Sequence, residues 1–274
     1  MRAVERLYRV SSGGRVFHAV EREADGGQLR VAVPASGDDI DIFSRGYSAG
    51  APIAGGLAGV TVLAPVRPTK IVCVGLNYRD HAFEIGKPLP ADPLLFIKPS
   101  TAVLDPGASI RLPPGVGRVD YEGELAVVIG RRAHRVPAAK AWDYILGLTC
   151  VNDVTARDLQ NKDSQYTRCK GFDTFAPVGP SIAVGLGGPG KALSVQTWLN
   201  GTRRQASDTS QLIFGIEALV EFITFVMTLE PGDIISTGTP SGIGPLTHGD
   251  RVTVSVEGVG ELMNPVQAEG LTVH

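Results

Sequence analysis

The sequence predicts a curled, mixed β architecture with few helices. Three observations carry this. Short apolar or alternating runs, bounded by turn residues, recur from Leu7 to Val266. Only one stretch, Leu212 to Val226, sustains a helical period. The 274 residues include 34 glycines and 19 prolines, enough for many turns. Many strands around one substantial helix suit a rolled sheet better than a doubly wound one. The length suits one large domain, or a large domain with a small companion.

The elements are read in chain order. Leu7–Val10 and Arg15–Val20 bracket Ser11-Ser12-Gly13-Gly14 as a hairpin would, and Leu29–Val33 adds a short strand. Residues 44–59 are weakly patterned. A small N-terminal α+β domain is expected over 1–65, with the boundary at Val66–Thr69 and a larger domain over 66–274. Lys70–Gly75 reads as a core strand, followed by a short helix within Leu76–Glu84 and an irregular connection through Pro88, Pro90 and Pro93. Strands are expected at Leu94–Lys98 and Ile110–Leu112. The stretch Val119–Gly130 holds a buried strand in its apolar second half. Ala138 to Leu148 starts helical and turns into an apolar strand ending at Asn152-Asp153. A helical turn covers Thr155–Asn161, and Ala176–Val184 is turn then strand. Leu193–Leu199 leads through Asn200-Gly201, a hairpin signal, into a return strand at Arg203-Arg204-Gln205. The one long helix uses Leu212, Ile216, Leu219, Val220, Ile223 and Val226, with Ser210 as its N-cap. Strands at 233–238, 249–257 and 260–266 close the chain.

Composition narrows the function. A net charge of -2 without a long basic block argues against nucleic acid as a partner. Met1–Arg6 is charged and leads into no apolar signal core, and no run reaches eighteen apolar residues. Neither secretion nor a membrane span is expected. The three cysteines, Cys73, Cys150 and Cys169, form no C-x-x-C pair and read as buried thiols of a cytoplasmic protein. Gly185-Leu186-Gly187-Gly188-Pro189-Gly190 matches G-x-G-x-x-G. A strand-like segment follows it, so it is a loop and no dinucleotide site. A nucleophile elbow of the G-x-S-x-G type is absent.

The chemistry gathers around Glu122-Gly123-Glu124. In an extended segment the two carboxylates point to one side, and beside an apolar strand they repel and resist desolvation. A shared proton, a basic partner or a cation would relieve this. Asp153 ends another apolar run and would join them at a sheet mouth. Oxygen-only ligands suit a hard ion: Mg²⁺, Mn²⁺ or Ca²⁺. Solvated strand-end acids are the alternative. His81 and Glu84, three apart on a helical turn, can pair as a carboxylate-oriented general base or as a plain surface pair. Lys98 and Lys170 are candidates to neutralise a substrate carboxylate or enolate. Arg157 and Gln160 share one side of their helical turn. The turn Thr237–Gly242 offers hydroxyls and N–H groups for a carboxylate.

Six ordered blocks resemble the fumarylacetoacetate hydrolase (FAH) family: KIVCVGLNYRDHAFEIG (70–86), DYEGELAVVIG (120–130), CVNDVTARDLQ (150–160), KGFDTFAPVGP (170–180), LEPGDIISTGTPSGIG (229–244) and GVGELMNPV (258–266). The likeness covers roughly 68–266. It implies an FAH-type rolled mixed β-sheet catalytic domain, usually homodimeric, with a small variable N-terminal domain. It implies a divalent ion, usually Mg²⁺ and sometimes Mn²⁺ or Ca²⁺, on Glu122, Glu124 and Asp153. His81 and Glu84 would activate water from a mobile lid, Lys170 would polarise the substrate, and Arg157, Gln160 and Thr239 would line its oxo-acid end. Lys98 is left without a role. The implied reaction is hydrolysis of a 2,4-dioxo acid, such as an acylpyruvate or fumarylpyruvate, to pyruvate and a carboxylic acid. Relatives instead isomerise 2-hydroxyhepta-2,4-diene-1,7-dioate, or decarboxylate its oxo precursor or oxaloacetate. From a different class, a non-catalytic, metal-stabilised binding protein is the competing expectation.

Overall fold

Turn chemistry and strand alternation set the framework of the computed structural model, which describes residues 4–35 and 42–270. The N-terminal part holds β1 (Glu5–Ser12), β2 (Arg15–Arg22), β3 (Leu29–Pro34), a short helix α1 (Ile42–Arg45), β4 (Tyr47–Pro52) and β5 (Thr61–Leu63). The poorly patterned Tyr47–Pro52 still forms a strand, because it lies at the sheet edge, paired to β3 alone. An edge strand tolerates Pro52 and needs no strict alternation. Next come β6 (Ile71–Gly75), α2 (Arg79–Glu84), β7 (Leu94–Lys98), β8 (Val103–Leu104) and β9 (Ile110–Leu112). The acidic stretch forms β10 (Val119–Tyr121) and β11 (Gly123–Ile129). Then follow β12 (Ile145–Asn152), β13 (Thr155–Ala156), α3 (Arg157–Lys162), α4 (Thr167–Lys170) and β14 (Ala176–Val184). The hairpin β15 (Ser194–Leu199) and β16 (Thr202–Asp208) turns on Asn200 and Gly201, both at positive φ, as a tight two-residue turn requires. The chain ends with α5 (Ile216–Val226), β17 (Ile234–Ser236), β18 (Gly244–Pro245), β19 (Arg251–Val256) and β20 (Gly260–Ala268). The glycine-rich run 185–190 is a loop leading into β15.

The large sheet runs β4-β3-β2-β1-β14-β12-β11-β17-β6-β7, with β5 added on β1 and β8 on β14. It is mixed: β17 pairs β6, and β14 pairs β8, in parallel. The N-terminal strands extend this sheet through Glu5–Leu7 opposite Val184–Ile182. A five-stranded sheet, β16-β15-β19-β20-β9, packs across β11 and β12. The burial of β11 explains why its sequence is apolar from Leu125 onward. Leu125, Val127 and Ile129 enter one core with Val195, Val254 and Leu219. Ala126 and Val128 enter a second with Leu7, Val20, Ile42 and Ile182. A strand buried on both faces reads as a continuous apolar run.

Two expectations need correction. The long helix was expected from Leu212 with Ser210 as cap, but α5 begins at Ile216 after Gly215. Leu212 is taken by a β-bridge to Tyr78, and the Asn77 side chain binds both N–H and carbonyl of Phe214. Tertiary pairing therefore holds 212–214 extended. Asp208, not Ser210, caps the 3-10 turn that precedes it. At the other end Val226 is 60% exposed and does not join the core face. Second, Glu122 and Glu124 do not share a strand. The chain changes sheets at Glu122: Asp120 pairs Thr155 and Pro245 in a small sheet β13-β10-β18, whereas Gly123 pairs Asn152 in the large one.

Asp233 ties the start of β6 to the start of β17. Its fully buried carboxylate accepts from the backbone N–H of Thr69, Lys70 and Glu230, the Thr69 hydroxyl, and Lys70 Nζ at 2.5 Å. Asp233→Ala leaves several buried donors unpaired. It should cost about 3 kcal/mol or more, read as a lower urea midpoint with an unchanged m value.

Candidate metal centre and active site

The sheet switch builds the site. At the break, side-chain amides take over from ladder partners. Glu122 N–H donates to Asn152 Oδ1, and Gly123 N–H donates to Gln205 Oε1, each at 2.9 Å. The Thr239 hydroxyl donates to Gly123 O (2.9 Å), and Asp153 N–H donates to Glu122 O (2.8 Å). Residue 123 must be glycine for lack of space: a Cβ there would lie 2.0 Å from Thr197 Oγ1. This frame turns Glu122 and Glu124 toward Asp153. One oxygen from each of the three buried carboxylates lies within 4.8 Å of the others.

Their charges are only partly matched. Lys170 Nζ bridges Glu122 (2.8 Å) and Asp153 (2.6 Å). Lys98, fully buried at the end of β7, binds Asp153 Oδ1 (2.6 Å) and Val154 O (3.0 Å). Arg157 pairs with Glu122 and, through Nε, with Asp120 (2.9 Å); Arg118 also pairs with Asp120. Glu124 accepts only from Ser236 Oγ (2.5 Å) and Gly238 N–H (2.9 Å), and no cationic side chain among the described residues pairs with it. The consequences diverge. Burial works to raise the Glu122 carboxyl, but Lys170 and Arg157 outweigh it and hold it down at about 2. Burial, joined by the Asp153 charge, pushes Glu124 up to about 8 despite the Ser236 hydrogen bond. Asp153 and Glu122 in turn hold the Lys170 ammonium well above its usual range, against the burial that disfavours it. Without a cation beside it, Glu124 therefore favours its protonated form at neutral pH. An all-oxygen donor set with one uncompensated carboxyl fits a hard divalent ion.

His81, on α2, is oriented by its neighbours. Nδ1 lies 2.9 Å from Glu84 Oε2, and Glu84 Oε1 accepts the Gly242 N–H at 2.9 Å. With Nδ1 so engaged, Nε2 is the nitrogen left to meet a ligand. His81, Glu122, Glu124, Asp153, Arg157, Gln160, Lys170 and Thr239 all line one cavity of about 300 Å³. Glu84 stands behind His81 and does not line it. Gln160 accepts from Arg157, which leaves its amide N–H₂ for a ligand. The Thr239 hydroxyl is already spent on Gly123 O and also accepts from Gln205 (2.8 Å), so its first duty is to hold the loop in place.

Sequence reasoning offered Lys98 only as a candidate to neutralise a substrate anion, and gave no role to Gln205 or Asn77. Lys98 carries a charge at 0% exposure, matched by Asp153. Gln205 joins Gly123 N–H, Thr239 and Pro240 O from the hairpin. Asn77 joins Thr237 O to Phe214. A lysine ending an apolar strand was a visible signal. The two amides left none, since every partner lies far off in sequence, from 34 residues for Gln205–Thr239 to 160 for Asn77–Thr237. No helix among the described residues is long and apolar enough to cross a membrane. All three cysteines are buried and free.

Comparison with known proteins identifies the family. Residues 70–267 match the family described as Fumarylacetoacetate (FAA) hydrolase C-terminal. The structure of 2-hydroxyhepta-2,4-diene-1,7-dioate isomerase from Mycobacterium marinum superposes with a TM-score of 0.84 at 43% identity, over 97% of this chain and 99% of that one. The oxaloacetate tautomerase YisK of Bacillus subtilis is 41% identical over 77% of this chain and 74% of its own. Fumarylpyruvate hydrolase from Pseudomonas aeruginosa, solved with Mn²⁺ and pyruvate, superposes with a TM-score of 0.69 at 31% identity, over 79% and 94%.

The donor set predicts a thermal response. Mn²⁺ or Mg²⁺ should raise the melting temperature of chelator-treated protein, by about 2.7 kcal/mol of stability when the ion is at 100 times its Kd. Glu124→Gln mimics the protonated carboxyl. It should leave the metal-free melting temperature near that of the parent while removing most of the metal-induced rise.

Proposed function

This chain belongs to the fumarylacetoacetate hydrolase family, and we propose that it acts on small 2-oxo acids through their enolates. Proton transfer between keto and enol forms is the primary reaction in this reading. The observation that carries it is the placing of His81, oriented by Glu84, on the same small cavity as three buried carboxylates and Lys170. Glu122, Glu124 and Asp153 would hold a divalent ion, Mg²⁺ or Mn²⁺ foremost and Ca²⁺ as a further candidate. When bound, the ion supplies Lewis-acid polarisation of the 2-oxo group, which acidifies the adjacent C–H.

The protein's own groups do the rest. Arg157 and Gln160 orient the substrate carboxylate. His81 Nε2 removes a proton from carbon 3, and the electron pair of that C–H bond moves into the C2–C3 bond. Lys170 faces the charge that develops on the 2-oxygen, at a site where little water weakens the attraction. Glu84 stabilises the imidazolium and keeps its ring in place. Return of the proton to oxygen completes the enol, and the same steps reversed give the ketone. Movement of a double bond along a longer chain, as an isomerase requires, uses the same removal and return.

Hydrolysis is the second reading, favoured by the same Nε2 as a base for water. Water oxygen would bond to carbon 4 of a 2,4-dioxo acid, the C3–C4 bond would break, and its electron pair would remain on carbon 3 until protonated there. Pyruvate and a carboxylic acid result. It ranks second because it needs a placed water in addition to every group that proton transfer uses, and because the more similar of the named relatives carry isomerase and tautomerase names.

The test follows oxaloacetate enol consumption by absorbance and pyruvate release from acetylpyruvate, with Mn²⁺ or Mg²⁺ and then with chelator. Metal-dependent enol consumption is expected, reduced about 10²- to 10⁴-fold in His81→Ala. The metal-induced melting shift should survive in that variant. Faster pyruvate release than enol consumption would put hydrolysis first. No turnover of either acid would overturn both readings in favour of a binding protein.

A further inference from the structure

The active cavity is graded from floor to mouth. Its floor is buried: Glu124 and Lys170 are each 2% exposed and Asp153 is 1% exposed. Its mouth is formed by exposed Lys87, Asn161 and Leu94. The two floor cations that line it are committed, Lys170 to Glu122 and Asp153, and Arg157 to Glu122 and Asp120. Lys87 is different. No carboxylate among the described residues pairs with it, and the only acids in the lining are the three at the floor. Its backbone N–H donates to Ala82 O at 3.0 Å, which fixes its Cα to the C-terminal end of the helix that carries His81. An unmatched ammonium at the mouth, just past the helix that carries His81, faces whatever projects outward from a 2-oxo acid seated at the floor.

Resting on the reading above, we propose that Lys87 makes this enzyme selective for 2-oxo acids that carry a second, distal carboxylate. The 2-oxo-carboxylate end lies at the floor and the distal carboxylate meets the Lys87 ammonium at the mouth. The carbon that exchanges its proton then lies between the two, beside His81. Asn161 adds neutral donors at the mouth. Acids with an apolar or neutral end keep the floor contacts and lose the Lys87 contact.

The test compares oxaloacetate, with a distal carboxylate, and acetylpyruvate, without one, on the Mn²⁺-loaded parent, Lys87→Met and Lys87→Arg. Binding is read by calorimetry and turnover by enol consumption. The parent should prefer oxaloacetate. Lys87→Met should raise its Kd and KM roughly 10- to 100-fold, the range for a hydrogen bond between charged groups, with kcat changed less than about threefold. Acetylpyruvate should be unaffected, and Lys87→Arg should restore the preference. Binding that depends on Lys87 without turnover upholds the assignment and sinks the catalytic reading. Turnover with equal effects on both acids, or with none, overturns the assignment alone. Failure of both acids to bind overturns both.

Discussion

Three carboxylates buried within 4.8 Å of one another are the constraint that the rest of the structure answers. Like charges so close and so dry raise one another's energy steeply. The chain meets this in two ways. It brings in Lys98, Lys170 and Arg157 from three separate segments, each joined directly to one of the acids. It also leaves Glu124 to hydroxyl and backbone donors, so that one unit of negative charge is met by a proton or a cation. With Glu124 ionised the three acids and the three cations cancel, so a divalent ion would make the cluster positive, as an anionic substrate requires. The unpaired Glu124 carboxyl is thus what would favour a metal ion here.

The geometry depends on a break in the sheet. Had residues 119–129 run as one strand, Glu122 would have kept ladder partners and pointed with the pleat. Instead Asn152 and Gln205 supply those partners from side chains, and Glu122 is freed to face Lys170. The rigid part is β11, whose two buried faces anchor the break in two cores at once. Precision at the site is therefore borrowed from packing elsewhere.

Much of this was legible in the residues. The hairpin at Asn200-Gly201, the apolar β11 and the turn of helix with His81 and Glu84 follow from local chemistry. So did the grouping of Glu122, Glu124 and Asp153, because acids at the ends of apolar runs have few other places to go. What was not legible is what depends on distant partners. Residues 212–214 have helical spacing but are held extended by Tyr78 and Asn77. Tyr47–Pro52 has almost no pattern and forms a strand through its neighbour alone. Thr239 reads as a ligand-binding hydroxyl, whereas both of its hydrogen bonds go to the frame.

The loop Thr237–Gly242 shows how the two halves of the chemistry are kept in step. Gly238, at φ 101°, gives its N–H to Glu124, and Gly242 gives its N–H to Glu84. One short loop thus gauges the distance between Glu124, which would grip the metal, and Glu84, which would steady the proposed base. An added or deleted residue there would detune both at once. The segment 85–94, which brings Lys87 and Leu94 to the mouth, shows no such double tether among the described residues. A substitution at the mouth can therefore leave both hydrogen bonds of the loop intact.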